Sequence, residues 1–224
     1  MKKWLISADE RTKLIAALPS DMVRIKQTLL NFDHNRKVFA STGQKLLNGQ
    51  RTSPLCDMRY GTYPLSWNGC ELIACYNAAK MLGREIDFPQ VVFEFELNRM
   101  HYLFPNGYWG TAPKKLWYFF KKHDMPYTSC RDGALFARSA KTSAASCGII
   151  SFWNNKRSTA KFGKINFFSG GLHTVAYRWR AGRFYVYNLY GGDSTPRILG
   201  DIAEAYKEKR FIIGYIFEGD IKNF

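Results

Sequence analysis

NGCELIACYNAAKMLG, residues 68–83, is the stretch on which the reading of the fold turns. Leu72, Cys75, Tyr76, Ala79 and Leu82 fall on one face of a 3.6-residue helix, and Gly83 supplies the stop. Asn68, three positions before Glu71, has the form of an N-cap with a capping box. That places Cys70 in the first turn, where exposed N–H groups and the positive end of the helix dipole favour thiolate over thiol, the nucleophilic form. Cys75 lies on the apolar stripe and reads as a small core hydrophobe.

Upstream, Leu14, Ile15 and Leu18, then Met22, Ile25, Leu29 and Leu30, keep helical spacing across a break at Pro19-Ser20-Asp21 and predict two short helices. Residues 31–67 are polar and rich in turn pairs (Asn48-Gly49, Ser53-Pro54, Tyr60-Gly61, Tyr63-Pro64), which predicts an irregular lead-in. Residues 1–60 are therefore expected to form a helical and irregular N-terminal extension, and residues 61–224 the main domain. Downstream, helices are predicted over 88–99 and 113–122, flanking the loop FPNGYWGT (104–111). After residue 145 the character turns to strand: GIISFW (148–153), LHTVAYRW (172–179), RFYVYN (183–188) and FIIGYIF (211–217). Ala181-Gly182 joins the middle pair as an antiparallel hairpin. N-terminal helices packed against a C-terminal antiparallel β-sheet make an α+β fold.

A thiolate nucleophile needs a proton acceptor, and four histidines are available, at 34, 101, 123 and 173. The first three sit in polar runs or loops and read as solvated surface. His173 opens a strand, with Val175, Tyr177 and Trp179 on its face, and the hairpin brings Asn188 near it. An amide there can hold the imidazole tautomer, the third role in a Cys-His-Asn arrangement. The five cysteines show no C-x-x-C pair, so neither a zinc site nor a disulfide framework is signalled, and no metal or other cofactor is expected.

These residues resemble a family. The run from Cys70 to Gly83 is similar to the C-G-P-A-(x)n-Y-Y-G helix of the double-glycine leader peptidases, papain-like cysteine enzymes that trim bacteriocin and peptide precursors. GLHTVAYRWRAGRFYVYNLYGG resembles their H-(x)-V-V-(x)n-V-(x)-D-P hairpin, NGYWGTAPKKLWYFFKKHDMPYT their G-T-(x)-P helix and following strand, and GIISFWN their next core strand. The resemblance covers roughly residues 60–217 and implies a papain-like cysteine peptidase fold, with Cys70 as nucleophile, His173 as base and Asn188 as orienter. Two positions depart from the pattern. The glutamine that those peptidases place about six residues before the cysteine as an oxyanion donor is missing from Tyr63-Pro64-Leu65-Ser66, and Glu71 stands where glycine is usual. The Cys70 N–H and the Asn68 side chain are then the candidate oxyanion donors. Trp67, Glu71, Trp109 and Gly171 are the candidate substrate-binding residues, Glu71 as selector of a basic or amine-bearing substrate and Gly171 as a site of close backbone approach.

The expected activity is hydrolysis of a peptide or isopeptide bond through a thioester on Cys70. The alternatives are acyl or amide transfer by the same triad, or a catalytically silent papain-like fold acting as a basic binding module. A formal charge of +15 biases encounters toward anionic partners, yet the basic residues are scattered in small groups, and no dedicated nucleic-acid motif appears. No stretch reaches membrane-spanning length, and Asp9, Glu10 and Arg11 interrupt the apolar N-terminal run before it could serve as a signal-peptide core, so a cytoplasmic setting is expected.

Overall fold

The computed structural model describes residues 12–13, 21–40, 46–100, 110–141, 145–154, 160–162, 165–167 and 171–217. Helix α1 (Met22–Phe39) runs well past the predicted stop near residue 30. Its second half is polar in composition because two buried amides do structural work: Asn31 Nδ2 donates to Gly61 O at 2.7 Å and Glu96 Oε1 at 2.8 Å, and Asn35 exchanges two 2.8 Å bonds with the Arg59 backbone. Buried amides that pair with backbone are compatible with a helix, whereas their polarity imitates a loop. The earlier predicted helix, over residues 14–18, lies outside the described residues.

A small hairpin, β1 (Arg59–Tyr60) and β2 (Tyr63–Pro64), leads into the short helix α2 (Leu65–Asn68) and then α3 (Cys70–Met81). As the sequence predicts, α3 ends at Gly83. The residue adopts φ +74°, its N–H donates to Lys80 O, and the Arg84 N–H reaches back to Ala79 O, a Schellman closure. The predicted single apolar face is too narrow a description, because every residue of α3 except Lys80 is buried. The helix is enclosed by the sheet, by α4 (Phe88–Leu97) and by the segment from residue 46 onward. Leu47 and Asn77 exchange two 2.7 Å hydrogen bonds, and Leu47, Leu55, Met58 and Tyr60 lie in the same core as α3. The packing therefore does not divide at residue 60: residues 46–60 belong to the main body.

After a 3₁₀ turn at Pro113–Lys115 and α5 (Trp117–Lys122), the chain forms β3 (Tyr127–Cys130), α6 (Gly133–Ser139), β4 (Ala145–Trp153), the hairpin β5 (Ala160–Phe162) and β6 (Ile165–Phe167), then β7 (Leu172–Arg180), β8 (Arg183–Tyr187), β9 (Arg197–Leu199) and β10 (Arg210–Phe217). Six of these strands form one sheet, ordered β3-β10-β4-β7-β8-β9 with every neighbour antiparallel. The mixed α+β class is thus what the structure shows. Strand alternation splits the core into two layers. Cys147, Ile149, Ala176 and Tyr215 face α3, α4 and α5, while Ile150, Phe152, Val175 and Tyr177 face α6 and a 3₁₀ turn at Ile202–Tyr206. Phe120 fastens α5 to β10 through edge contacts with Tyr215 and Phe217 at 5.0 and 4.9 Å.

Candidate active site

Cys70 is the first residue of α3, and Gly69 makes the bend before it possible. A Cβ at Gly69 would lie 2.7 Å from the Leu65 carbonyl and closer still to the Leu65 side chain, so only glycine lets α2 and α3 meet. The predicted capping box is absent. Gly69 occupies the cap position without a side-chain cap, and Asn68 sits in α2 with Nδ2 donating to Tyr60 O at 3.1 Å. Glu71 turns inward instead of back toward the cap.

The sheet explains where the sulfur goes. Asn154 N donates to Gly171 O, so along β7 the backbone groups of odd-numbered residues face β4 and those of even-numbered residues face β8. β8 keeps register as far as Tyr187, opposite Ala176. At Asn188 the chain enters the left-handed region, φ +61°, and departs. The Thr174 N–H faces the vacated side, and it lies against Cys70 Sγ. The nucleophile candidate therefore lies against the residue that follows His173, on the side of β7 that β8 leaves at Asn188.

The thiol donates to Glu71 Oε2 at 3.2 Å, and Thr174 Oγ1 donates to Glu71 Oε1 at 3.2 Å. With that carboxylate ionised, the Thr174 proton is committed to it, so Ser151 Oγ is the donor in the 2.9 Å contact between the two hydroxyls. Glu71 is 1% exposed and Cys70 6%. Burial pushes the Glu71 carboxyl up to about 7 against the hydrogen bonds from Cys70, Thr174 and the backbone of residues 71 and 111. Burial, and after it the Glu71 charge, hold the Cys70 thiol well above the ordinary thiol range, and the N–H groups of Thr174 and Glu71 only partly oppose them. This corrects the expectation that the helix end alone yields a thiolate. A helix terminus contributes about 0.3–1 kcal/mol, up to about 2 when partly buried, less than the cost of charging a buried thiol. It also corrects the assignment of Glu71 to substrate selection, since its carboxylate faces the interior and not solvent.

His173 leans the other way across the same corner. Its Nε2 lies 2.7 Å from the Asn188 main-chain oxygen, and its ring meets Phe152 edge-on at 5.7 Å between centroids. A carbonyl only accepts, so Nε2 carries the proton and, in the neutral ring, Nδ1 is the basic nitrogen. Burial lowers this imidazole to about 4, with the Asn188 and Leu189 carbonyls opposing and Lys209 and Arg51 adding to the fall. Asn188 does orient His173, but through its backbone and not through the predicted amide. That amide is engaged elsewhere: Gln50 N donates to Asn188 Oδ1 at 2.9 Å and Asn188 Nδ2 donates to Gln50 Oε1 at 3.2 Å. Among the described residues no hydrogen bond joins Cys70 Sγ to His173.

Gln50 was missed by sequence reasoning, which sought a glutamine about six residues before the cysteine. Its Nε2 donates to Leu65 O at 2.9 Å, so it ties the α2 start to the Asn188 corner. Asn48 reinforces the same corner, accepting from Asn188 N at 2.5 Å and donating to Asp193 O at 2.6 Å. The Asn48-Gly49 turn signal was visible, but nothing in it pointed to a partner 140 residues away.

No family model, curated protein or solved structure matches this chain. Trp67 is 60% exposed on α2, beside Asn68, and Gly171 is exposed at φ +74° with open space where a Cβ would stand. Trp109 and His101 lie outside the described residues. His34 is exposed, as predicted, with Nε2 on Asp57 O at 2.8 Å. His123 is not a solvated residue: its ring stacks on Phe119 at 4.3 Å and bonds Glu94 Oε2 at 2.9 Å. Cys75 and Cys147 are buried core thiols. Among the described residues no cluster of three or more metal-ligating side chains occurs, and no helix is long and apolar enough to cross a membrane.

Proposed function

We propose that the chain is a papain-like cysteine hydrolase that cleaves a peptide or isopeptide bond through a thioester on Cys70. One observation carries the reading: the Cys70 sulfur lies against Thr174 on the side of β7 that β8 leaves at Asn188, and the Asn188 carbonyl holds His173 with its proton on Nε2. A nucleophile at a helix start, an imidazole held in one tautomer by an acceptor, and a rigid frame behind both are the parts that thiol acyl transfer requires. The Cys70 N–H at the start of α3 is the available oxyanion donor, because the Asn68 amide is held by Tyr60 O. Trp67, exposed on α2 three residues before Cys70, offers an apolar surface for a peptide side chain.

The test is to trap the acyl-enzyme. Incubation with p-nitrophenyl acetate and with peptide vinyl sulfones should place one adduct on Cys70, located by mass spectrometry. Cys70→Ala should abolish it. Chasing the adduct with amines against water separates hydrolysis from acyl transfer. Absence of any adduct on Cys70 under conditions that label free thiols identifies a silent fold.

A further inference from the structure

Among the described residues the thiol proton of Cys70 has one hydrogen-bond acceptor, and it is not His173. Sγ donates to Glu71 Oε2 at 3.2 Å, whereas the imidazole is engaged with the Asn188 carbonyl on the far side of the corner. The carboxylate is held for this contact. Thr174 Oγ1 fixes Oε1, Ser151 backs Thr174, and the backbone of Thr111 adds a further bond. Gly110, at φ +72°, closes over the group: a Cβ there would lie 3.2 Å from Oε2. A buried acid with two oxygens on separate, assigned donors is a placed functional group, since an unplaced carboxylate would leave the interior or go unpaired.

We propose that Glu71 is a catalytic residue, the base that takes the Cys70 proton. The inference rests on the hydrolase reading above and routes the thiol proton through Glu71. In acylation the Cys70 proton passes to Glu71 Oε2 as sulfur adds to the carbonyl carbon. When the C–N bond breaks, Glu71 delivers that proton to the leaving amine and returns to carboxylate. In deacylation water adds to the thioester carbon, its proton passes to Glu71 Oε2, and Glu71 returns it to the departing Cys70 sulfur. Each group ends as it began, and the sum is amide plus water to acid plus amine. A carboxyl raised by burial to about 7 is better matched to a thiol than an imidazole lowered to about 4, which agrees with the geometry.

Among the described residues the groups facing Glu71 are Cys70 and Cys75 on its own helix, Thr174 from the sheet with Ser151 behind it, Thr111 from the loop before the 3₁₀ turn and Tyr60 bonded to Thr111, none of them a cation. The pH response of the thiol should therefore belong to the Cys70–Glu71 pair. The experiment is the rate of Cys70 alkylation by iodoacetamide from pH 5 to 10 in the full chain, for wild type, Glu71→Gln, His173→Ala and Thr174→Val. The expected wild-type profile rises through an inflection near 7 to a plateau, which His173→Ala leaves in place. Glu71→Gln should abolish that inflection and slow alkylation at pH 8 by 10-fold or more. Thr174→Val, which frees one oxygen of the carboxylate, should shift the inflection. The sign decides the question. A Glu71 that merely repels the thiolate would give faster alkylation in Glu71→Gln, and that result, or loss of the inflection in His173→Ala, overturns the proposal. Should Glu71→Gln not fold, the wild-type and His173→Ala profiles still decide between the two bases. Failure of the hydrolase reading looks different: normal alkylation with no acyl adduct.

Discussion

Gly69 and Asn188 are the two residues whose backbone conformation places the site. Gly69 has Leu65 where a side chain would go, so Gly69→Ala forces α2 and α3 apart. Overpacking of this kind costs about 1–3 kcal/mol. Gly69→Ala is expected to lower the urea midpoint accordingly and to slow Cys70 alkylation at every pH, since the sulfur leaves Thr174. Asn188 combines φ +61° with two amide bonds to Gln50. Asn188→Ala should cost about 1–3 kcal/mol in urea titrations, from lost buried bonds and from the left-handed backbone. Asn188→Gly, which keeps that conformation freely, should lose less. At this scale the cysteine and histidine were legible in the sequence as residue types in order. The atoms that join them were not, because a carbonyl carries no sequence signature and any residue could have supplied it.

Among the elements, α3 and the β7–β8 hairpin were readable, and for local reasons. Helical spacing ended by Gly83 specifies α3, and a two-residue loop between Arg180 and Arg183 specifies the hairpin. Ala181 and Gly182 adopt φ +49° and +75°, the paired left-handed conformation of the I′ turn, and alanine is a poor occupant of it. Ala181→Asn is therefore expected to stabilise the protein by about 0.5–1 kcal/mol, seen as a raised Tm with unchanged alkylation of Cys70. The second half of α1 was unreadable because its buried amides answer to backbone groups of Arg59 and Gly61, which only folding brings near. α6 and β9 were likewise missed, each being short and weakly patterned.

For the whole molecule, buried acids set the pH response. Glu96 accepts from Asn31 and from the Gly61 N–H and is pushed up by burial to about 8; Glu71 stands at about 7 and Asp87 at about 6. Each folded pKa lies above its unfolded value, so the folded state binds more protons and each acid lowers stability as pH rises from about 4 toward its folded pKa. The slope is at most about 1.4 kcal/mol per pH unit for each group. His173 acts oppositely below pH 6.5, where the unfolded chain takes the proton that the folded ring refuses until about 4. Stability measured by urea should thus decline between pH 6.5 and 8. Glu96→Gln should flatten part of that decline, and an unchanged slope would remove Glu96 as a cause.

What the sequence by itself determined is whatever depends on neighbours a few positions away: the helix that opens at Cys70, its closure at Gly83, the antiparallel hairpin after His173, and the mixed α+β class. What the tertiary structure alone decided is which backbone groups were left over once the strands had paired. β8 departs at Asn188, the Thr174 N–H is stranded, and sulfur, Glu71 and Gln50 gather around that gap from segments remote in the chain. The physical reason is that side-chain spacing is written in sequence, whereas an unpaired N–H or carbonyl exists only after every other strand has taken its place.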